Sequence, residues 1–379
     1  MVRLFKKHWI LFTSILFLVV LFLTFYPTKY ISIDENQYLA NSYRLLTNSL
    51  QVDCDRISEY PGFHYAPNNL CVSKYNLGSS FLLFPTVLIG EQYAFVIVFL
   101  AFILSGVFFY WIQQELKINK FFIILYLFYP PFIYFSRTLF SEVFSLLFIN
   151  IFLYIFIKNQ EDSRIKNLIT GGVIGIATFV RYTNLVIFAG FLAVYLIKYR
   201  DIKKVFFIAL GAIPFGLIIM IINRLLYGSA FSTGYSMNGE DQFNIANLTV
   251  NLPNYVGLLI LIYPLMLFTP IFIKYKYKTL MLLPSLLILF LYSLYPYNFF
   301  EGTAVDFIKA GRVLMPIVPM LMLCYVYFLN NKFNRYVRVF VAAALISSTL
   351  LVTFFHQRYL IESDTIWESP SSHYLETRK

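Results

Sequence analysis

Charge is what this chain has least of. Asp, Glu, Lys and Arg make up only 13% of its 379 residues, against 59% hydrophobic and 20% aromatic. Clustered in long runs, apolar residues in that proportion exclude a water-soluble domain. Cysteine is nearly absent as well: three residues cannot staple a disulfide-rich fold. Cys54 and Cys71, 17 residues apart in one polar segment, could pair in an oxidising compartment, whereas Cys324 lies in an apolar run and reads as packing. No half-length repeat with matched broken helices is found, which argues against a flippase or secondary transporter. The first apolar run ends in Thr24-Phe25-Tyr26-Pro27, with no small-residue cleavage site, and is expected to stay as an anchor.

The chain instead carries repeated apolar runs of about 18 to 22 residues, each able to cross a hydrocarbon core of about 30 Å as a helix. With a mean hydropathy of +0.69, it reads as an all-α polytopic membrane protein. Eleven spans are predicted: 9–26, 93–112, 121–135, 139–157, 168–181, 183–197, 205–226, 253–273, 279–297, 313–329 and 338–355. They form one membrane domain, 1–355, followed by a short tail, 356–379. With the N-terminus in the cytoplasm, 18 of the 30 basic residues and four of the 19 acids fall inside, a charge of +14 there and −3 outside. The overall +11 is thus a topology signal and requires no nucleic-acid partner. Loop 27–92 and the tail are placed outside, on the outer face of the plasma membrane.

Loop 27–92 is the longest polar stretch. It opens on Ile33-Asp34-Glu35-Asn36-Gln37-Tyr38, an acidic pair at the membrane's edge and hence available for acid/base chemistry on a substrate delivered in the bilayer. Near-helical spacing of apolar side chains over 34–50 predicts an amphipathic helix on the membrane surface. Residues 81–89, interrupted by Pro85, predict an interfacial segment packed on protein, and the stretch between is rich in turn residues. Asp53-Cys54-Asp55 spells a metal-binding D-x-D pattern of only three letters, and no metal or other cofactor is assigned.

Asp34-Glu35-x-x-Tyr38 after a first span, Lys74-Tyr75-Asn76-Leu77-Gly78 before an apolar segment, Pro130-Pro131 with Ser136-Arg137 and Ser141-Glu142, Arg181-Tyr182-Thr183-Asn184, and Arg312 ahead of Pro316 and Pro319 follow one another in an order that resembles the GT-C membrane glycosyltransferases. Among these the branch of protein O-mannosyltransferases and aminoarabinose transferases is most similar. The resemblance covers roughly residues 9–330 and rests on order and spacing, since no single motif is specific. It departs from the family at Val72, where an acid often stands, leaving Glu59, Asp53 and Asp55 as weak candidates for a second acidic role.

The resemblance implies transfer of a sugar from a polyprenyl-phosphate carrier to a glycan, glycolipid or protein acceptor on the external face, without a metal. It implies a loop carboxylate as base and basic residues on the lipid phosphate. The residues present could meet both needs: Asp34, with Glu35 second, for the proton, and Lys74, Arg137, Arg181 and Arg312 for the phosphate. Neighbouring helical residues point about 100° apart, so one of Asp34 and Glu35 should face substrate while the other holds the loop. Glu142 reads as cavity-lining, and His64, Tyr38 and Tyr75 as further substrate contacts. Each has a plainer role open to it: Lys74 as a snorkelling interfacial lysine, Arg181 and Arg312 as structural partners of Glu142 or Asp306, Arg137 as the partner of Glu142, and His64 as a hydrogen-bonding loop residue. A polysaccharide polymerase or ligase shares the many spans, but places its large loop late in the chain.

Overall fold

The computed structural model of the protein describes residues 2–27, 30, 32–47, 50–53, 63–65, 70–158, 163–235, 243–295, 311–333 and scattered positions from 336 to 347. In order, α1 (Val2–Thr24) leads to α2 (Ile33–Thr47), a small sheet of β1 (Gln51–Asp53), β2 (Phe63–Tyr65) and β3 (Leu70–Ser73), then α3 (Leu77–Ile89), α4 (Ala94–Glu115), α5 (Ile123–Leu127), α6 (Pro130–Phe135) and α7 (Ser141–Lys158). The remainder is α8 (Arg164–Val180), α9 (Asn184–Tyr199), α10 (Ile202–Tyr227), α11 (Leu248–Ile262), α12 (Thr269–Phe272), α13 (Lys278–Ser293) and, after a 3₁₀ segment at Arg312–Ile317, α14 (Val318–Phe333).

Helix dominates because hydrocarbon offers no partner to a backbone N–H or C=O outside its own segment. Among the described residues five helical segments are long and apolar enough to cross a membrane: Glu91–Glu115, Ser141–Lys158, Ile202–Tyr227, Ile245–Ile262 and Arg312–Phe333. α7 lies in the middle, packed on α4, α8 and the start of α14. α10 lies at the rim, packed on α8, and presents Phe206, Leu210, Ile213, Leu217, Ile221 and Leu225 outward. Such a surface is stable only against lipid or another apolar phase.

Several expected spans take another form. Residues 121–135 are two short helices broken at Phe128–Tyr129, because Pro130 and Pro131 lack the N–H a continuous helix needs and instead open a new one. Both pieces are buried in protein, which is where irregular backbone at membrane depth is tolerated. The span 253–273 also breaks: α11 ends at Ile262, Leu265 takes the left-handed conformation (φ 70°), and α12 restarts at Thr269. Of the expected span 338–355 only scattered positions are described, and the tail 356–379 lies outside the described residues.

Loop 27–92 departs most from expectation. Its middle is an antiparallel sheet in the order β1-β3-β2, with Gln51 and His64 both opposite Val72, so the all-α reading holds for the membrane body and not for the loop. α2 is not a surface helix: Leu39, Ser42 and Arg44 are fully buried, and the helix packs on α3. α3 is exposed along Phe81, Pro85, Leu88 and Ile89 and otherwise packed. Cys71, on the central strand, is disulfide-bonded and Cys324 is free; the third cysteine, Cys54, lies outside the described residues.

Contacts sort the helix ends into two groups. At one end the Asn119 N–H donates to the Asn330 side chain (3.0 Å), Lys198 Nζ donates to the Lys276 carbonyl (2.9 Å), and Lys204 lies over the Phe156 ring. At the other, Tyr227 donates to the Ser73 carbonyl (3.0 Å), Asn247 to the Leu294 carbonyl (3.0 Å), and Arg312 to Asp34.

Candidate active site

This second end holds a cavity of about 470 Å³. It is lined by helix termini and the turns beside them, where backbone dipoles and polar side chains can meet water while the helix bodies stay apolar. Asp34 comes from the first turn of α2, Lys74 and Tyr75 from the junction of β3 and α3, Glu142 from the first turn of α7, Arg181 from the turn between α8 and α9, Tyr292 from the last turn of α13, and Arg312 from the segment opening α14.

Two carboxylates and two guanidiniums form a chain of ion pairs across the cavity. Arg312 Nη2 lies 2.6 Å from Asp34 Oδ2 and its Nε 3.6 Å from Glu142 Oε1, while Arg181 Nη1 lies 2.8 Å from the same Glu142 oxygen. Glu142 is nearly inaccessible, at 3%, and Asp34 is open to the cavity at 22%. A carboxylate so buried is stable only because cations flank it. The other Asp34 oxygen accepts from the Tyr75 hydroxyl at 2.6 Å, and the Ser32 hydroxyl receives the Asp34 N–H. Burial disfavours the Asp34 carboxylate, but Arg312 and the Tyr75 hydroxyl, with Lys74 further off, outweigh it and hold the group below the usual carboxylate range. Burial and the adjacent Asp34 charge push the Tyr75 phenol up, so it stays a donor.

The three cavity cations are held differently. Arg181 is framed: beyond Glu142 it donates to Thr183 (3.0 Å), Ser141 (3.1 Å) and Tyr292 (2.6 Å). Arg312 is shared between the carboxylates, its guanidinium 4.2 Å above the Phe140 ring. Lys74 forms no ion pair among the described residues, and its ammonium lies 5.2 Å over the Tyr75 ring. Its backbone is clamped, because Gly234 approaches so closely that any Cβ there would overlap Lys74 Cα, and Gly78 abuts the Phe179 carbonyl in the same way.

Of the residues expected from sequence, Asp34, Lys74, Arg181, Arg312, Glu142, Tyr38 and Tyr75 all line this cavity. Glu35 does not. It is fully buried and its Oε1 accepts the Leu139 N–H at 2.8 Å, tying α2 to the turn before α7. Arg137 is also absent from the lining; it is buried over the Phe25 ring, and Glu142 pairs with Arg181 and Arg312 rather than with it. His64 is a β2 position in register with Val72, Asp53 pairs with Leu70 at the sheet edge, and Asp55, Glu59 and Asp306 lie outside the described residues. Sequence reasoning missed Tyr292 and the Ser141 hydroxyl, which also receives the Tyr38 O–H at 3.2 Å. Tyr292 falls inside an expected span among 30 tyrosines, and nothing in the sequence marks it.

No protein-family model matches the chain, and no curated protein matches it either. Among solved structures, the apo crystal structure of ArnT from Cupriavidus metallidurans superposes on 92% of this chain with a TM-score of 0.61 at 12% identity. The same protein bound to undecaprenyl phosphate superposes on 91% with a TM-score of 0.55 at 10% identity. This chain spans 64% of the apo ArnT chain and 72% of the bound one. The fold is therefore that of ArnT. With its apolar helices, that fold makes this an integral membrane protein.

Proposed function

We propose that the protein is a glycosyltransferase that moves a hexose or pentose from a polyprenyl-phosphate carrier to an envelope acceptor, a glycan, glycolipid or protein, on the external face of the plasma membrane. One observation carries the reading: a carboxylate, Asp34, and the cations Lys74 and Arg312 face one cavity at the membrane-helix ends. The binding of undecaprenyl phosphate by ArnT, whose fold this chain shares, supports the choice of carrier.

The reaction follows from that placement. The carrier phosphate sits against Lys74 and Arg312, with Arg181 and Glu142 holding the cationic wall in place. Asp34 takes the proton of the acceptor hydroxyl as its oxygen attacks the anomeric carbon. The bond from that carbon to the phosphate oxygen breaks, and its electron pair leaves on the phosphate, on the face opposite the attack. The sugar's configuration is thereby inverted. One phosphate carries little charge compared with a diphosphate, and the site's own cations suffice to meet it.

The test is turnover by the purified protein in nanodiscs supplied with polyprenyl-phosphate sugars and an envelope lipid extract. Free polyprenyl phosphate together with a glycosylated product, identified by mass spectrometry, is the expected result. Binding and translocation of the donor without its cleavage would make the protein a transporter.

A further inference from the structure

The turn that carries Lys74 and Tyr75 into the cavity ends on Asn76, the N-cap of α3. An asparagine there ordinarily accepts a hydrogen bond from the first turn of its helix. Asn76 has the extended backbone of a cap (φ −63°, ψ 138°), yet its side chain makes no cap hydrogen bond. It is only 7% exposed, it lines the cavity, and its Oδ1 has no hydrogen-bond partner. A buried carboxamide left unsatisfied weakens the fold and so points to a ligand. Other polar side chains of the same lining are engaged with neighbours: Tyr38 donates to Ser141, Tyr182 to Asn223 and Tyr292 to Thr183.

The place of Asn76 in the wall narrows what that ligand is. Lys74 and Tyr75 directly precede it, one a cation for the carrier phosphate and the other bound to Asp34, and successive Cα atoms are only about 3.8 Å apart. In the proposed reaction the group between phosphate and base is the sugar. Tyr38 and Tyr235 flank the Tyr75 ring, their centroids 5.5 and 6.2 Å from it, and aromatic faces with a few fixed polar groups are what orients a small ligand. A carboxamide offers an acceptor and two donors without charge, which suits a hydroxyl that both gives and takes a hydrogen bond. Its broad terminal torsion lets either end of the amide turn to the cavity.

Resting on the proposed function, we infer that Asn76 reads the donor's sugar: its carboxamide binds a ring hydroxyl of the sugar and so discriminates among polyprenyl-phosphate donors. The same contact orients the ring, so that the anomeric carbon faces the acceptor hydroxyl at Asp34. Asn76 is thus a specificity-determining residue, separate from the cations that hold the phosphate and from the base.

The test uses the purified full chain in nanodiscs. Its affinities for polyprenyl phosphodiesters of glucose, mannose, galactose and arabinose are compared with that for polyprenyl methyl phosphodiester, which has the same charge and no sugar. Wild type should bind at least one sugar diester more tightly than the methyl one. Asn76→Ala, checked for folding by its melting curve, should cut that advantage roughly 3- to 10-fold, the scale of one neutral hydrogen bond, and leave affinity for the methyl diester unchanged. Asn76→Ser, which keeps a good helix cap, takes its place should the alanine variant fail to fold. An advantage that survives in the folded variant, a loss shared equally by the methyl diester, or no advantage in wild type overturns the role of Asn76 and leaves the glycosyltransferase reading intact. Failure of every diester to bind overturns both.

Discussion

Asp34 and Glu35 are neighbours in sequence and opposites in use. The 100° step of the helix sends one side chain to the cavity and the other to the backbone of the turn before α7. The division was legible in the helical spacing, and the family resemblance favoured Asp34 as the acid facing substrate; the spacing alone left either acid open, and the partner of Glu35, the Leu139 N–H, was not legible. Asp34→Asn keeps the side-chain volume and loses the base, so transfer should fall by about 10² to 10⁴ while donor affinity survives. Single-turnover rates with donor-saturated enzyme read this. Glu35→Gln should act on the fold instead: the carboxylate receiving a buried N–H is replaced by a weaker acceptor, at a cost of about 1–3 kcal/mol. A lowered melting point with near-normal turnover per folded molecule is the expected pattern. The Asp34–Arg312 pair has a pH signature too. Its folded-state carboxyl is held below the ordinary value, so the pair's stabilisation is fully present above the unfolded value of about 3.9 and fades only as pH falls through the folded one. The melting-point gap between wild type and Asp34→Asn should therefore be flat from pH 8 to pH 5 and narrow only in stronger acid.

Lys74 shows what the surrounding elements contribute. It sits on a short turn, yet its position is set by three partners: β3, which ends at Ser73; Tyr227 at the end of α10, donating to the Ser73 carbonyl; and Gly234 pressed against its Cα. Lys74→Ala should raise the donor concentration needed for half-maximal turnover by removing a charged contact worth roughly 2–4 kcal/mol in a desolvated site. Gly234→Val should mimic it without touching the ammonium, since the new side chain must displace the Lys74 backbone. A Gly234→Val protein with wild-type donor dependence would mean that the clamp is irrelevant to binding. None of this clamp could be read beforehand. Strands of three and four residues give too short a pattern to register as alternation, and Gly234 lies in an ordinary loop sequence. The long apolar runs behind α4, α7 and α10 carry their own signal and were plain; the break at Tyr129 is marked locally by Pro130 and Pro131, whereas the one near Leu265 has no such mark.

Taken together, the helix-end contacts agree with the charge asymmetry of the loops. Asn119 with Asn330 and Lys198 with Lys276 mark one end, and the cavity lies at the other. If the basic end is cytoplasmic, a cysteine placed at Lys276 should be protected from an impermeant thiol reagent in intact cells and react once the membrane is opened. Labelling of intact cells at that position would invert the proposed orientation and put the cavity on the inner face.

The ion pair that spans 278 positions of sequence also dictates when the protein becomes complete. Glu142 and Arg181 can meet as soon as α7 to α9 have entered the bilayer, but Asp34 waits for Arg312, which emerges after more than a hundred further residues have been made. Contacts of such long range are late in assembly. Throughout most of its synthesis, the growing chain therefore carries an unmasked Asp34 and a pocket lacking one of its cations. A ribosome stalled before Arg312 would leave an inserted bundle unable to hold the carrier phosphate in full.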